Sequence, residues 1–474
     1  MMGENMNISE TNHSNLILKF LLASGLIYAA LGLFGGLPVG ANISAFVIGL
    51  IILFLAIVAL MGFVWYAVIK PLPANLAPSE TKPLSDNLRQ GVAIFLTLMS
   101  GMGLAGGLWD ITWHVRSGLR FGEDFFWEPH QFIYVALIMP IIVAGFIWFM
   151  IAQKGSGSLR QRFKADIPIT LIMIGGTAML FILPVDPLWH FIYGEDLTGL
   201  SLPHFVFSVS STLTTMGAMS ILLSYMPLRQ TWQTIFNIRG LEILVISTLS
   251  LNIIGLLMPT LLDWEAISLP AKALPRLPAL VAARPDWAMP FLAAFVAIYS
   301  SSMALHITKR FGTATLIWLI ASVTRSLLFL AFGYNDTGMS TMFMLLPFTV
   351  AIDIVTWYRV SRNQSVSSLL VAVVSTVFGI IAVLPQIQVS YIDPILGVDN
   401  IPSIILAMFV GSFLAAWMGK VLGNIVYNTP RFEVPEKQPV VAKSIAFAMY
   451  GLAFATIGIA VFFVLTTTSP AAAL

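Results

Sequence analysis

Apolar stretches long enough to cross a membrane recur along this chain between residues 17 and 467. Of its 474 residues, 58% are hydrophobic and only 10% are charged. A soluble domain usually has about 25% charged residues, and a membrane-spanning helix needs about 20 consecutive apolar ones. The sequence therefore predicts an all-α, polytopic transmembrane helical bundle embedded in a lipid bilayer.

Thirteen of these stretches are predicted as membrane spans. Twelve or fourteen spans are alternatives, because an apolar segment can also enter and leave the bilayer on one side. The predicted spans are 17–39, 43–69, 90–112, 131–153, 166–185, 204–227, 239–262, 286–306, 312–333, 339–359, 366–386, 400–426 and 442–467.

Basic residues are concentrated in alternate loops of this topology. The loops 184–203, 334–338 and 387–399, all on the opposite side, contain no Lys or Arg. Loops rich in Lys and Arg usually face the cytoplasm. This distribution predicts a cytoplasmic N-terminus and a C-terminus outside. No concentrated basic patch is present, so we expect no nucleic-acid partner.

One sequence pattern occurs twice between Asp110 and His204. Each copy has an Asp-x-x-Trp-His segment, then an acidic pair, then Pro-His. The copies start 76 residues apart and end 74 residues apart, and they contain four of the six histidines. Their polar residues are Asp110, His114, Glu123, Asp124 and His130 in the first copy, and Asp186, His190, Glu195, Asp196 and His204 in the second.

The pattern has the residue types of a metal site. Asp and His four residues apart lie on one face of a helix, and a His after Pro suits the start of the next helix. One carboxylate and two imidazoles form an open ligand set for copper, zinc or non-haem iron. The chain has no cysteine, which excludes thiolate ligands. The predicted metal ligands, and candidate catalytic residues, are Asp110, His114 and His130, with Asp186, His190 and His204.

Other residues of the pattern have less specific interpretations. The acidic pairs are candidate hydrogen-bond acceptors for the imidazole nitrogens that do not bind the metal, or candidate replacement ligands. The alternative is that they are loop carboxylates in contact with solvent. These pairs are Glu123, Asp124, Glu195 and Asp196. Trp113 and Trp189 are predicted to be interfacial tryptophans. For the whole pattern, the alternative is a pair of hydrogen-bonding loops left by an internal duplication.

The doubled pattern resembles the C subunit of the copper membrane monooxygenases, which include the particulate methane and ammonia monooxygenases. The resemblance covers residues 15–230 and includes the run from Leu202 to Phe207. It implies copper at both sites and hydroxylation of a small apolar or ammonia-like substrate with oxygen. Two features depart from the family: Asp186 stands where the family usually has an amide, and the first loop is a few residues longer.

The same resemblance implies partners and a location. The family's cupredoxin-like B subunit is not part of this chain and would be a separate partner. The complex would be a homo-oligomer, a trimer by resemblance. The expected location is the cytoplasmic or an intracytoplasmic membrane of a prokaryote, with the metal sites towards the outer, periplasmic side.

The second half is similar to the A subunit of that family in its seven predicted spans. The run from Tyr299 to Tyr334, then Leu346-Pro347 and Asp353, carries this likeness. It implies a fusion of a C-like domain at 1–235 with an A-like domain at 236–474. The alternative is an unrelated seven-helix module. Arg325 and Asp353, both inside predicted spans, are expected to form an ion pair.

Two other functions fit the same residues. A membrane transporter or handling protein for copper or zinc would use the two sites as stations for its cargo. A scaffold subunit would use the metals only structurally. Transporter sites usually lie near the bilayer midplane, and the predicted ligands lie at helix ends, which favours the oxidoreductase.

Overall fold

The computed structural model describes residues 43–117, 128–193, 202–225, 231–235, 245–246, 288–331, 339–390 and 401–427. In the first half the helices are α1 (Ile43–Val64), α2 (Asp86–Ser117), α3 (Glu128–Gln153), α4 (Leu159–Ala165), α5 (Ile167–Ile182), α6 (Val185–Tyr193) and α7 (Leu202–Ser224). In the second half they are α8 (Ala288–Thr308), α9 (Thr313–Ala331), α10 (Met339–Ser361), α11 (Ser368–Ser390) and α12 (Ile401–Tyr427). A π-helical turn, Trp65–Ile69, continues α1.

The predicted helical class is confirmed for the described residues. Among the described residues, ten of the thirteen predicted spans coincide with helices, and seven helices are long and apolar enough to cross a membrane. The predicted spans 17–39, 239–262 and 442–467 lie outside the described residues, apart from two helical residues at 245–246. The full span number and the positions of both termini stay predictions.

Glycines bring the helices of the first half into close contact. A Cβ atom added at Gly176 on α5 would clash with the Pro140 carbonyl oxygen on α3. One added at Gly217 on α7 would lie 2.5 Å from the Pro168 carbonyl oxygen on α5. Small residues at such crossings let helix backbones approach closely inside a membrane. As a result, α5 lies packed between α3 and α7.

A buried ion pair joins α2 to α5 at the end of the bundle opposite the doubled motif. The Arg89 guanidinium donates a hydrogen bond to Oδ1 of Asp166 at 2.9 Å, and its Nε atom forms an ion pair with Oδ2 at 2.5 Å. Asp166 also accepts the backbone N–H of Ile169, which caps α5. The hydroxyl of Tyr225, just after α7, donates to the Asp86 carbonyl at 2.9 Å. Three helices are therefore anchored at this end.

In the second half, α8 and α12 lie parallel and in close contact. Cβ atoms added at Gly411, Gly419 and Gly423 of α12 would lie within 3.0 Å of backbone oxygens at Phe291, Tyr299 and Met303 of α8, respectively. The residue numbers rise together along both helices, which shows that the helices run in the same direction.

The predicted pairing of Arg325 with Asp353 is wrong. The Asp353 carboxylate accepts the backbone N–H groups of Gly312 at 3.0 Å and Thr315 at 2.8 Å, and the Thr315 hydroxyl at 2.7 Å. It therefore caps the start of α9. Arg325 lies ten residues further along α9, about 15 Å away at 1.5 Å per residue. Its guanidinium lies 4.9 Å from the centre of the Phe329 ring.

A short parallel bridge joins the two halves. Gln233 and Thr234 (β1) pair with Arg310 and Phe311 (β2). The buried Arg310 side chain donates to the Thr234 carbonyl at 2.5 Å. The division of the chain at residues 235 and 236 stays a prediction.

Candidate metal sites at the helix ends

The first motif copy spans the end of α2 and the start of α3. Asp110 and His114 both lie within α2, so the helix continues through them, as their spacing predicts. His130 is the third residue of α3, directly after Pro129. Proline suits the first turn of a helix because that turn does not need its N–H. The local sequence therefore sets His130 at the entrance of α3, beside the end of α2.

The carboxylate and the imidazole of the first copy are in contact. The Nε2 atom of His130 lies 3.0 Å from Oδ1 of Asp110. The side chains are 17% and 13% exposed, respectively, so most of each is screened from the surroundings. Two residues that are 20 positions apart in the sequence thus meet at the helix ends, as the motif predicts.

A tight helix crossing holds this contact in place. Gly106 lies one turn before Asp110, and a Cβ added there would be 2.6 Å from the Phe132 Cβ and 3.0 Å from the Pro129 carbonyl oxygen. The rings of Trp109 and Phe132 meet edge to face, with centroids 6.2 Å apart. The backbones of α2 and α3 therefore approach each other immediately beside the Asp110–His130 contact.

The second copy repeats this arrangement on other helices. Asp186 and His190 lie one turn apart in the short helix α6, and His204 is the third residue of α7, after Pro203. Nε2 of His204 lies 3.7 Å from Oδ1 of Asp186. The side chains of His204 and Asp186 are 37% and 25% exposed, more than their counterparts in the first copy.

The prediction that Trp189 is an interfacial tryptophan is wrong. Its side chain is only 3% exposed and packs in a cluster with Ile182 of α5 and Val206 of α7. Exposed large hydrophobic residues on α6 are Leu188, Phe191 and Ile192. Trp189 therefore attaches α6 to the bundle and orients the helix that carries Asp186. The side chain of Trp113 lies outside the described part.

Tyr134 is a site residue that the sequence prediction missed. It lies on α3, and its ring centroid is 5.8 Å from that of His130. One turn of helix separates it from His130, and this spacing was the only available signal, in a helix that contains many aromatic residues.

The remaining predicted site residues are only partly described. His114 and His190 have helical backbones, but their side chains lie outside the described part. The acidic pairs Glu123, Asp124, Glu195 and Asp196 lie outside it altogether. Among the side chains that are described, no group of three or more His, Asp or Glu is close enough to hold a metal ion.

In each motif copy, the distance between the Asp oxygen and the His nitrogen suits two ligands of the same metal ion. Imidazole nitrogen and carboxylate oxygen bind such ions at about 2.0–2.2 Å, which puts two ligand atoms of a tetrahedral site about 3.4 Å apart. The separations of 3.0 and 3.7 Å lie on either side of this value. A direct ion pair between a protonated His130 and the Asp110 carboxylate accounts equally well for the shorter one. The residues fit a metal ion and do not select its identity.

Comparison of the chain with protein-family models, with curated proteins and with solved structures finds no significant match.

Proposed function

We propose that this chain is the membrane-embedded, metal-binding component of a copper-dependent monooxygenase, which uses oxygen to hydroxylate a small apolar or ammonia-like substrate. The observation that carries the proposal is the same Asp–His contact formed twice, at 3.0 and 3.7 Å, at one end of the bundle. We infer the activity from the resemblance of the doubled sequence pattern to the C subunit of the copper membrane monooxygenases.

Each motif copy has a defined task in this proposal. Asp110, His114 and His130 hold one ion, and the copy at Asp186, His190 and His204 holds another. Three protein ligands leave coordination positions open, as catalytic rather than structural sites do. A bound copper ion would supply the redox chemistry that oxygen activation needs. Zinc and non-haem iron are the alternative ions for this ligand set.

The surroundings of the sites suit a substrate that dissolves in lipid. On α3, the helix that carries His130, the side chains of Ile138, Ile142 and Phe149 are 39%, 56% and 58% exposed. A small apolar molecule in the bilayer could follow this face to the helix ends. The acidic pairs that follow His114 and His190 would accept hydrogen bonds from the imidazoles that bind the metal ion.

The proposal extends to topology and partners. We place thirteen spans in the cytoplasmic or an intracytoplasmic prokaryotic membrane, with the sites on the outer side. The anchoring contacts of Arg89 and Arg160 lie on α2 and α4 at the opposite end, in agreement with the positive-inside rule. A cupredoxin-like B-type subunit is the proposed partner, in a trimeric complex. The A-like second half would make the chain a fusion.

Turnover and metal content of matched variants test the proposal. We would purify the wild type, His114→Ala, His190→Ala and, as a control histidine outside the motif, His13→Ala, and determine copper by elemental analysis. Each motif variant should lose part of the copper, and the control should keep all of it. Oxygen-dependent product formation by membranes that also contain the partner subunit should fall in both motif variants.

A vesicle experiment separates this proposal from the alternatives. A transporter, used alone in vesicles, would accumulate copper or zinc against a control without protein, and His114→Ala would stop that uptake. A scaffold would bind metal with neither uptake nor turnover. Metal uptake by the chain alone, or a wild type without copper, would contradict the monooxygenase.

A further inference from the structure

The short helix α6 has an apolar face that the bundle does not cover. Its side chains Leu188, Phe191 and Ile192 are 53%, 87% and 55% exposed, and Phe191 is the most exposed large hydrophobic residue of the described part. Phe191 and Ile192 follow Leu188 by three and four residues, a spacing that puts all three on one side of a helix. These three residues form the outer strip of α6.

The other side of α6 is held by the bundle. With 3.6 residues per turn, Asp186 lies about half a turn around the helix from the outer strip. Its Oδ1 atom lies 3.7 Å from Nε2 of His204 on α7. Trp189 is buried against Ile182 and Val206. The contacts of Asp186 and Trp189 therefore face inward, and the outer strip faces the surroundings of the protein.

The length of α5 determines where the outer strip lies relative to a bilayer. α5 has 16 residues. It therefore rises about 24 Å, whereas the hydrocarbon core of a bilayer is about 30 Å thick. A straight continuation would carry Phe191 about 36 Å from the start of α5, beyond that core. Since the helix is interrupted at Pro184, α6 can instead follow the membrane surface.

The outer strip continues a face of α5 that is exposed within a membrane span. Leu180 and Phe181, in the last turn of α5, are 51% and 72% exposed and belong to the candidate span Ile167–Trp189. Within a span, exposed apolar side chains meet lipid. α6 contains no Lys or Arg, so its contact with a membrane would be apolar and would not need charged headgroups.

We propose that α6 is an interfacial helix that docks on the lipid surface at the motif end of the bundle, with Leu188, Phe191 and Ile192 inserted among the acyl chains. Helices of this kind bury their apolar face about 5–10 Å into the boundary between headgroups and acyl chains. The continuity with the exposed face of α5 favours lipid over a protein partner. The bilayer then supports from outside the helix that carries Asp186, and α7 supports it from inside.

Spin labelling tests this contact, because the chain has no cysteine and each introduced one is labelled alone. Nitroxides would be attached to Leu188→Cys, Phe191→Cys and Ile192→Cys in the full chain, in phosphatidylcholine vesicles without added metal. Collision rates would be measured with oxygen, which concentrates in lipid, and with a water-soluble nickel chelate. Ile142→Cys on α3, 56% exposed, is the lipid reference, and Glu80→Cys, in the loop before α2, is the water reference.

The labels on the outer strip should have oxygen-to-nickel collision ratios closer to that of Ile142→Cys than to that of Glu80→Cys. Addition of anionic phosphatidylglycerol should leave the ratios unchanged, because the contact is apolar. Phe191→Glu, added to Leu188→Cys, should shift the ratio at 188 towards the water reference, since a carboxylate resists insertion into lipid. The same substitution added to Ile142→Cys should change nothing, which shows that the bundle stays intact.

Three results would overturn the docking of α6 on lipid. Frequent collision of the outer-strip labels with the nickel chelate would show that they face water. Rare collision with both reagents would show that protein, such as a second copy of the chain, covers the strip. A ratio at 188 that Phe191→Glu does not change would show that α6 does not dock as a unit. None of these results involves copper, so each would leave the proposed function standing.

Discussion

The two motif copies carry the same residue types, one Asp and two His, on helices of different lengths. In the first copy, α2 runs unbroken for 32 residues through Asp110 and His114. In the second, α5 ends at Ile182 and the separate nine-residue helix α6 carries Asp186. The first Asp–His contact is shorter and less exposed than the second. The first contact therefore lies on a continuous helix and is the more buried, and the second lies on a separate short helix and is the more exposed.

The break between α5 and α6, which has no counterpart in the first copy, has a local cause in the backbone. Pro184 lies between α5 and α6, and proline lacks the N–H that a continuous helix would use. The backbone N–H of Leu188 reaches the Pro184 carbonyl only at 3.4 Å, at the start of α6. The second carboxylate therefore depends on how α6 is held against α7, whereas the first depends on the crossing of α2 with α3.

The largest effect is expected from Trp189→Ala, which removes the anchor of α6. Deleting a buried aromatic side chain costs about 3–5 kcal/mol of unfolding free energy. Thermal unfolding in detergent should show the loss, and metal analysis should show the second site emptied and the first retained. The control is Trp357→Ala, because Trp357 is 58% exposed. Equal metal loss from both sites would contradict the separate anchoring of α6.

Gly106→Ala should act on the first copy instead. The added methyl would meet the Phe132 Cβ at 2.6 Å and push α2 away from α3. Forcing a methyl into such a contact costs about 1–3 kcal/mol. Cu²⁺ titration should show weaker binding at the first site only. Gly145→Ala on α3 is the matched control, since nothing lies within 4 Å of its added Cβ. If the two variants behave alike, the crossing does not support the site.

Asp186→Asn should have the smallest effect. The amide keeps the shape and one oxygen of the side chain but removes its negative charge. Loss of that charge weakens the binding of a divalent cation. We expect Cu²⁺ affinity at the second site to fall by about 10-fold, or about 1.4 kcal/mol, with little change in unfolding temperature. Asp110→Asn provides the comparison at the first site. Loss of all metal from Asp186→Asn would show that the charge itself is indispensable.

The sequence predicts the helices and the two Asp–His contacts well, for physical reasons. A bilayer requires long apolar runs, so ten predicted spans coincide with helices among the described residues. Helical geometry puts residues four apart on one face, and prolines at 129 and 203 begin the helices that carry His130 and His204. These are local rules, which need no knowledge of how the helices pack.

Packing between distant helices explains what the sequence did not reveal. Arg325 and Asp353 are two charges in neighbouring spans, but their heights along α9 and α10 decide whether they meet, and Asp353 instead caps the start of α9. Trp189 was expected at the interface and is buried by α5 and α7. Tyr134 is recognised as a neighbour of the first motif copy only from the contact of its ring with that of His130.

The most direct test of the account is the number of copper ions per chain in the wild type, His130→Ala, His204→Ala and the double variant, after loading with Cu²⁺ and removal of loosely bound metal. The account predicts two ions in the wild type, one in each single variant and none in the double variant. The ion that remains in His204→Ala should be held more tightly than the one in His130→Ala. The same copper content in all four proteins, or none in the wild type, would contradict it.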